Sequence, residues 1–202
     1  NVDLIPGSPM EELQSFATSV LRRCESAGAD AAEVYVRRGR ETDIRVRNGT
    51  IENLQEGNPK SVGIRLWRGD RTASTYATDF SDEAIDRLVG ETYELAALTD
   101  PIPELALPES ALLTAETPDL GLYDPSVAAF EADRKLEIVR TAERVALEHD
   151  DRITVSGGAS YGDLAMERVL ANTHGFCRGY RETYVHFNVM AVADDEDNRK
   201  RR

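Results

Sequence analysis

The chain has 202 residues, 41% of them hydrophobic and 30% charged, with a formal net charge of −13. That length accommodates one sizeable domain or two small ones, each with a modest core. The acidic balance argues against a duplex-binding groove, where phosphate neutralisation supplies most of the affinity, and two cysteines are too few for a disulfide scaffold.

The first predicted element is a helix. Ser8 is placed to cap it, Pro9 suits the first helical position and Glu11 completes a capping box. Leu13, Phe16, Ala17, Val20, Leu21 and Cys24 then recur at three- and four-residue spacing and define one buried stripe. Gly28 falls where a left-handed residue closes a helix. Ala32, Val34 and Val36 alternate with polar neighbours, as do Ile44 and Val46, which predicts half-buried strands. Asn48-Gly49 is a hairpin turn, because both positions tolerate positive φ. Ile51 to Gln55 forms the returning strand, broken by the run from Glu56 to Pro59. Val62, Ile64 and Leu66 alternate again, and Arg68-Gly69-Asp70 turns the chain into Thr72 to Ala77. Ser81 then caps a second helix with Ile85, Leu88, Val89 and Leu95 on its apolar face.

Between Thr99 and Pro125 stand Pro101, Pro103, Pro108, Pro118 and Pro125, a spacing that excludes a long helix or a central strand. This stretch predicts a linker or packed crossover. A helix from about Phe130 to Glu148 follows, burying Leu136, Val139, Val145 and Ala146, with Ile138 and Ala142 at its edge. Next come a strand at Ile153 to Val155, a Gly157-Gly158 break and a strand from Leu164 to Ala171. A turn at Asn172 to Gly175 leads into Phe176 to Tyr180, and Tyr184 to Ala193 is the final strand. Strand, Asn/Gly turn, strand and a long closing strand echo the earlier stretch from Ile44 to Trp67, as if one supersecondary unit were used twice. The predicted class is α+β, two repeated units of helix packed on antiparallel strands: residues 1–98, a Pro-rich linker at 99–125, and residues 126–202.

No catalytic motif stands out. His149 ends a helix, His174 sits in a turn and His186 lies on a strand, and no two share the one-turn spacing of a zinc helix. Each reads first as a surface or locally bonded histidine. Cys24 and Cys177 read as buried free thiols; Cys177 follows His174 by three residues, yet no elbow or helix start accompanies it. Gly157-Gly158 lacks the lysine and helix of a phosphate-binding loop. The basic run Arg199 to Arg202 directly follows acidic residues and reads as a solvated loop. Tyr184 to Ala193 reads first as an interior strand, the other reading being an open edge that takes an extended peptide. No apolar run approaches the roughly 18 residues of a membrane span and no signal peptide is evident, so a reducing cytoplasm is expected. The start at Asn1 and the stop in a charged run predict a piece of a longer protein.

Several segments together resemble the TldD/PmbA family, whose members were once called modulators of DNA gyrase. They are Gly28-Ala29-Asp30 ahead of an alternating strand, Val46-Arg47-Asn48-Gly49, Gly63 within its strand, and Ala73-Ser74-Thr75. Pro118 to Pro125, Asp151 to Thr154, Gly158-Ala159-Ser160 and Ala171 to Tyr180 extend the match from about Met10 to Ala193. Leu122-Tyr123-Asp124-Pro125 and Gly175 to Tyr180 look like the PmbA (TldE) branch, while Asp194 to Asn198 departs from the Gly-rich residues usual there. The resemblance implies the N-terminal region of a subunit in a cytoplasmic zinc metallopeptidase complex acting on unfolded peptides. It implies zinc in a TldD-type partner subunit or in a C-terminal half, and no zinc ligand, catalytic residue or known substrate-binding residue here. Partners would be a TldD-type subunit or a second copy, with no nucleic acid and no membrane. Two other readings stand beside it: a non-catalytic interaction module that modulates a partner enzyme, and the N-terminal part of the zinc-bearing subunit itself.

Overall fold

The computed structural model describes residues 10–114, 118–194 and 200–201. The chain is α+β, with helices packed on antiparallel strands. It divides into two compact units, each drawn from three separate stretches of chain: residues 1–39, 59–120 and 166–181 in the first, and 40–58, 121–165 and 182–202 in the second. Spatial units and contiguous segments are therefore different divisions of this sequence. Three strands are long enough to serve both units: β1 (Ala31–Arg47), β5 (Ile153–Asn172) and β6 (Cys177–Asp194).

The first unit packs α1 (Met10–Ser26) and α2 (Asp82–Leu98) against β3 (Lys60–Arg68), β4 (Arg71–Ala77) and the adjoining ends of the long strands, in the order β4-β3-β1-β5-β6. The α1 stripe is buried as its spacing demands: Leu13, Ala17, Val20, Leu21 and Cys24 meet Val34, Val36, Ile64 and Leu66. Gly28, at φ +95°, closes α1, and Ala29 N–H donates to the Cys24 carbonyl. The expected caps at Ser8 and Pro9 lie outside the described residues. In α2 the buried line is Ile85, Leu88, Val89, Thr92 and Ala96. Leu95, expected on this face, is exposed because it stands 100° around the helix from Ala96. Thr92 is buried instead, its hydroxyl bonded to the Leu88 carbonyl and the Thr75 hydroxyl. Ser81 occupies the cap position of α2 without a side-chain capping bond.

The second unit packs α4 (Ala132–Leu147), preceded by the short α3 (Pro125–Ala128), on strands ordered β2-β1-β5-β6-β7, where β2 is Thr50–Gly57 and β7 is Lys200–Arg201. Asn48 at φ +50° and Gly49 at φ +71° make the β1–β2 turn. Two strand breaks expected from the sequence are absent. Ile153 to Ala171 is one strand, because Gly158 at φ +97° lets β5 continue through a local irregularity, its N–H held by the Ser156 hydroxyl at 2.9 Å. The strands expected at Phe176 to Tyr180 and Tyr184 to Ala193 likewise fuse into β6, which begins at Cys177. In α4, Val145 and Ile138 are exposed, and the buried line is Lys135, Val139 and Glu143. Between residues 99 and 125 the described chain is irregular, with a single 3-10 turn at Ser110–Leu112.

Candidate functional site

The second unit carries the densest buried chemistry. Lys135, Val139 and Glu143 stand four residues apart on one face of α4, so the two charges flank the aliphatic contact with Ile44 and Val46. Lys135 is 1% exposed, its Nζ 2.5 Å from Asp163 Oδ2, off the line of a directed hydrogen bond, and 3.1 Å from Thr42 Oγ1. The ammonium also faces the Tyr161 ring, 5.8 Å from its centroid. Burial pushes the Tyr161 phenol well above its ordinary range, and the hydrogen bond to Asp163 with that carboxylate's charge adds to the rise. Tyr161 therefore stays a neutral donor. One residue of each sign is removed from water here and compensated by the other.

Glu143 holds the β1–β2 turn. Its Oε1 accepts from Asn48 N–H at 2.7 Å and from the Ser156 hydroxyl, and its Oε2 accepts from Gly49 N–H at 2.8 Å. Burial alone would raise this carboxyl. The bonds from Ser156, Gly49 and Asn48, with the charge of Arg47, win, and hold it below the usual carboxylate range.

Beside this centre lies a small cleft of ≈ 260 Å³ lined by Glu41, Thr42, Asp43, Gln55, Asp163, Leu164, Tyr184 and His186. His186 lies across Gly162 of β5, where a Cβ would collide with the imidazole. Its Nε2 is 4.0 Å from Asp43 Oδ2. These donors do not fit zinc, which takes about four ligands at roughly 2.0–2.3 Å. Asp163 already faces an ammonium, and among the described residues no group of three or more His, Cys, Asp or Glu could hold a metal.

The other singled-out residues lie apart. His174 Nδ1 is 2.7 Å from the Pro108 carbonyl, in the hairpin where Asn172 Oδ1 accepts from the N–H groups of His174 and Phe176. Cys177 Sγ is 3.9 Å from the Gln14 carbonyl and from the Thr18 hydroxyl, so His174 and Cys177 make no nucleophile–base pair. Cys24 is fully buried, which pushes its thiol up to about 12. His149 follows the C-terminus of α4. Most of the charged run from Asp194 to Arg202 lies outside the described residues. Lys135, Glu143, Thr42 and Asp163 escaped the sequence reading. A signal existed for two of them: Lys135 and Glu143 sit at i−4 and i+4 from Val139, inside the helical stripe.

Comparison with known proteins supplies the family. The model for PmbA/TldA metallopeptidase domain 1 matches residues 32–96, and that for the PmbA/TldA metallopeptidase central domain matches 125–202. This chain belongs to the TldD/PmbA family, and corresponds to its N-terminal region. Metalloprotease PmbA of Escherichia coli O157:H7 is 30% identical over 92% of this chain, and a PmbA homolog of Haemophilus influenzae is 28% identical over 93%. The chain spans 41% of the length of each. A Bacteroides thetaiotaomicron protein described as a modulator of DNA gyrase superimposes with a TM-score of 0.86 at 20% identity, over 94% of this chain and 43% of that one. TldE from Thermococcus kodakarensis gives 0.76 at 19% identity, over 90% and 40%. At these identities the two structures establish a shared fold. No helix among the described residues is long and apolar enough to cross a membrane.

Proposed function

We propose that this TldD/PmbA chain is the N-terminal region of a PmbA/TldE-like subunit in a cytoplasmic zinc metallopeptidase complex that processes or degrades unfolded peptides. The zinc belongs to a TldD-type partner, and this chain supplies part of the wall that holds the substrate. The observation that carries the reading is the collinear match to the first and central PmbA/TldA domains, together with PmbA relatives aligned over nine-tenths of the chain. The donor set supports it as well, since Lys135 already neutralises the buried carboxylate and His149, His174 and His186 stand on separate elements.

On this reading the residues described here bind, position and exclude water, while bond cleavage takes place at the partner's metal. The test mixes the purified protein with a TldD-type subunit and follows hydrolysis of an unfolded polypeptide. The pair is expected to cleave and to lose activity with a chelator, whereas this protein alone leaves the polypeptide intact. Chelator-sensitive cleavage by this protein alone would overturn the assignment.

A further inference from the structure

Glu143 joins α4 to a turn that stands far from it in the sequence. Its two oxygens take the consecutive N–H groups of Asn48 and Gly49 at 2.7 and 2.8 Å, in a turn whose positive φ angles present both groups to one carboxylate. Successive turn N–H groups form a concavity suited to an anion, and bonds to a charged acceptor are the strong ones. The side chains of the turn anchor it poorly, since from Arg47 to Ile51 none is buried. Arg47 Nε lies 3.0 Å from Glu52 Oε1, a pair that stays within the hairpin. Beyond its continuation into the strands, the turn is thus fastened to the unit by Glu143.

The ladder below this tip is interrupted. Arg45 pairs with Asn53 and Val46 with Ile51, which leaves Glu52 as an extra residue in β2. A bulge of this kind breaks the pairing locally and bends the strand. Below it the ladder runs on from Arg45 and Asn53 to Glu41 and Gly57, reinforced by Asn53 Nδ2 donating to Asp43 Oδ1 at 2.8 Å. Above it β1 and β2 pair at Val46 with Ile51 and at Arg47 with Thr50. The tip also borders a groove of ≈ 400 Å³, lined by Gly49, by Glu143 and by Arg140, Thr141, Arg144 and Leu147 of α4. The same carboxylate reaches β5, where the Ser156 hydroxyl donates to it and accepts from Gly158 N–H at 2.9 Å. Turn, helix and β5 irregularity therefore meet at one side chain.

We infer that residues 47–51 form a lid on the α4 groove, hinged at the Glu52 bulge and latched by the Glu143 carboxylate, and that neutralising this carboxylate lifts the lid while the ladder below the bulge stays closed. The latch is complete within the second unit and calls on no metal, substrate or partner. A protonated carboxyl, or an amide in its place, turns one acceptor into a donor that faces the turn's N–H groups. The charged and polar groups around it are Arg47 on β1, Ser156 on β5, Arg140 and Arg144 on α4, and Glu148 just after that helix; Glu52 of β2 is engaged with Arg45 and Arg47. The bonds from Ser156, Gly49 and Asn48 outweigh burial and keep the folded carboxyl below its ordinary 4.5. The latch is therefore shut above that value and released as the pH falls through the depressed one.

The test is hydrogen exchange of the full-length protein, read by mass spectrometry and corrected for intrinsic rates. Its readout is the exchange of residues 47–51 relative to the flanking ladder at 41–45 and 53–57. At pH 7 the wild-type tip is expected to be protected, and Glu143→Gln to speed its exchange at least ~10-fold beyond any change in the flanks. Ser156→Ala removes one of the three donors and is expected to give a smaller excess, about threefold. In the wild type the same excess is expected on acidification through the Glu143 titration, an arm that stands even where Glu143→Gln fails to fold. Tip and flanks accelerating in step would overturn the proposal, since the carboxylate would then support the sheet as a whole. A tip that exchanges freely in the wild type at pH 7, or one indifferent to both substitutions, sinks it equally.

Discussion

The unit around α1 and α2 and the unit around α4 bury different things. In the first, eighteen hydrophobic residues form a single cluster, and its buried ion pair, Arg38 with Glu167 at 2.7 Å, is joined by Arg181 at 2.9 Å. In the second, a cluster of five buried hydrophobic residues, Ile44, Val46, Val139, Ala159 and Tyr161, shares the interior with Lys135, Asp163, Glu143, Thr42 and Ser156. Hydrocarbon burial stabilises in proportion to area and is indifferent to partner identity. A buried charge is tolerable only with its counterpart in place. The first unit is thus expected to erode gradually under substitution, and the second to fail at particular residues and at particular pH.

The largest effect is expected from Lys135→Ala, which strands the Asp163 carboxylate and costs about 3–5 kcal/mol in urea unfolding. Replacing the pair together, Lys135→Met with Asp163→Leu, recovers most of that loss; a double variant as unstable as the single one would break the contrast. Leu66→Ala, in the first unit, costs about 3 kcal/mol through its cavity. That loss is expected to be the same at pH 4 and pH 8, because what is lost is the burial of hydrocarbon in the cluster around Leu66.

Glu143→Gln is smaller, about 1.5–3 kcal/mol at neutral pH, and its pH dependence sharpens the comparison. The folded carboxyl lies below its ordinary 4.5, so its contribution is present above that value and is lost as the pH falls through the depressed one. The gap between wild type and Glu143→Gln is therefore widest near pH 7 and closes in acid. A gap that grows on acidification would show that burial, and not the Asn48, Gly49 and Ser156 bonds, governs this group. Gly49→Ala, at φ +71° with open space around the added methyl, costs only backbone strain of about 1 kcal/mol in thermal unfolding. Arg144→Ala, which removes an exposed pair with Glu148 at 2.9 Å, changes stability by less than about 0.5 kcal/mol.

Much of the local structure was legible because local rules govern it. The α1 stripe, the Asn48-Gly49 turn and the Asn172 hairpin follow from helical spacing, positive φ and an Asx side chain bonding nearby N–H groups. Legibility failed where a long-range partner overrides a local signal. Gly157-Gly158 looks like a break, but Met190 of β6 packs where a Cβ at Gly157 would stand, and the pairing carries β5 through. Val145 looks like core and is exposed, because α4 turns Lys135 and Glu143 inward to meet Asp163 and the Asn48 turn. The polar centre was unreadable for the same reason. Lys135, Thr42 and Asp163 come from three distant stretches, and nothing in any one of them announces the other two.

The amino-acid sequence by itself determined the helices, the turns, the α+β class and the family, since each depends on residue types within a few positions or on their order along the chain. The tertiary structure decided which strands run unbroken and which charges are buried. Those outcomes are set by pairing and desolvation between residues from separate stretches of chain, such as Lys135 with Thr42 and Glu143 with Asn48, whose cost and compensation exist only once the segments meet.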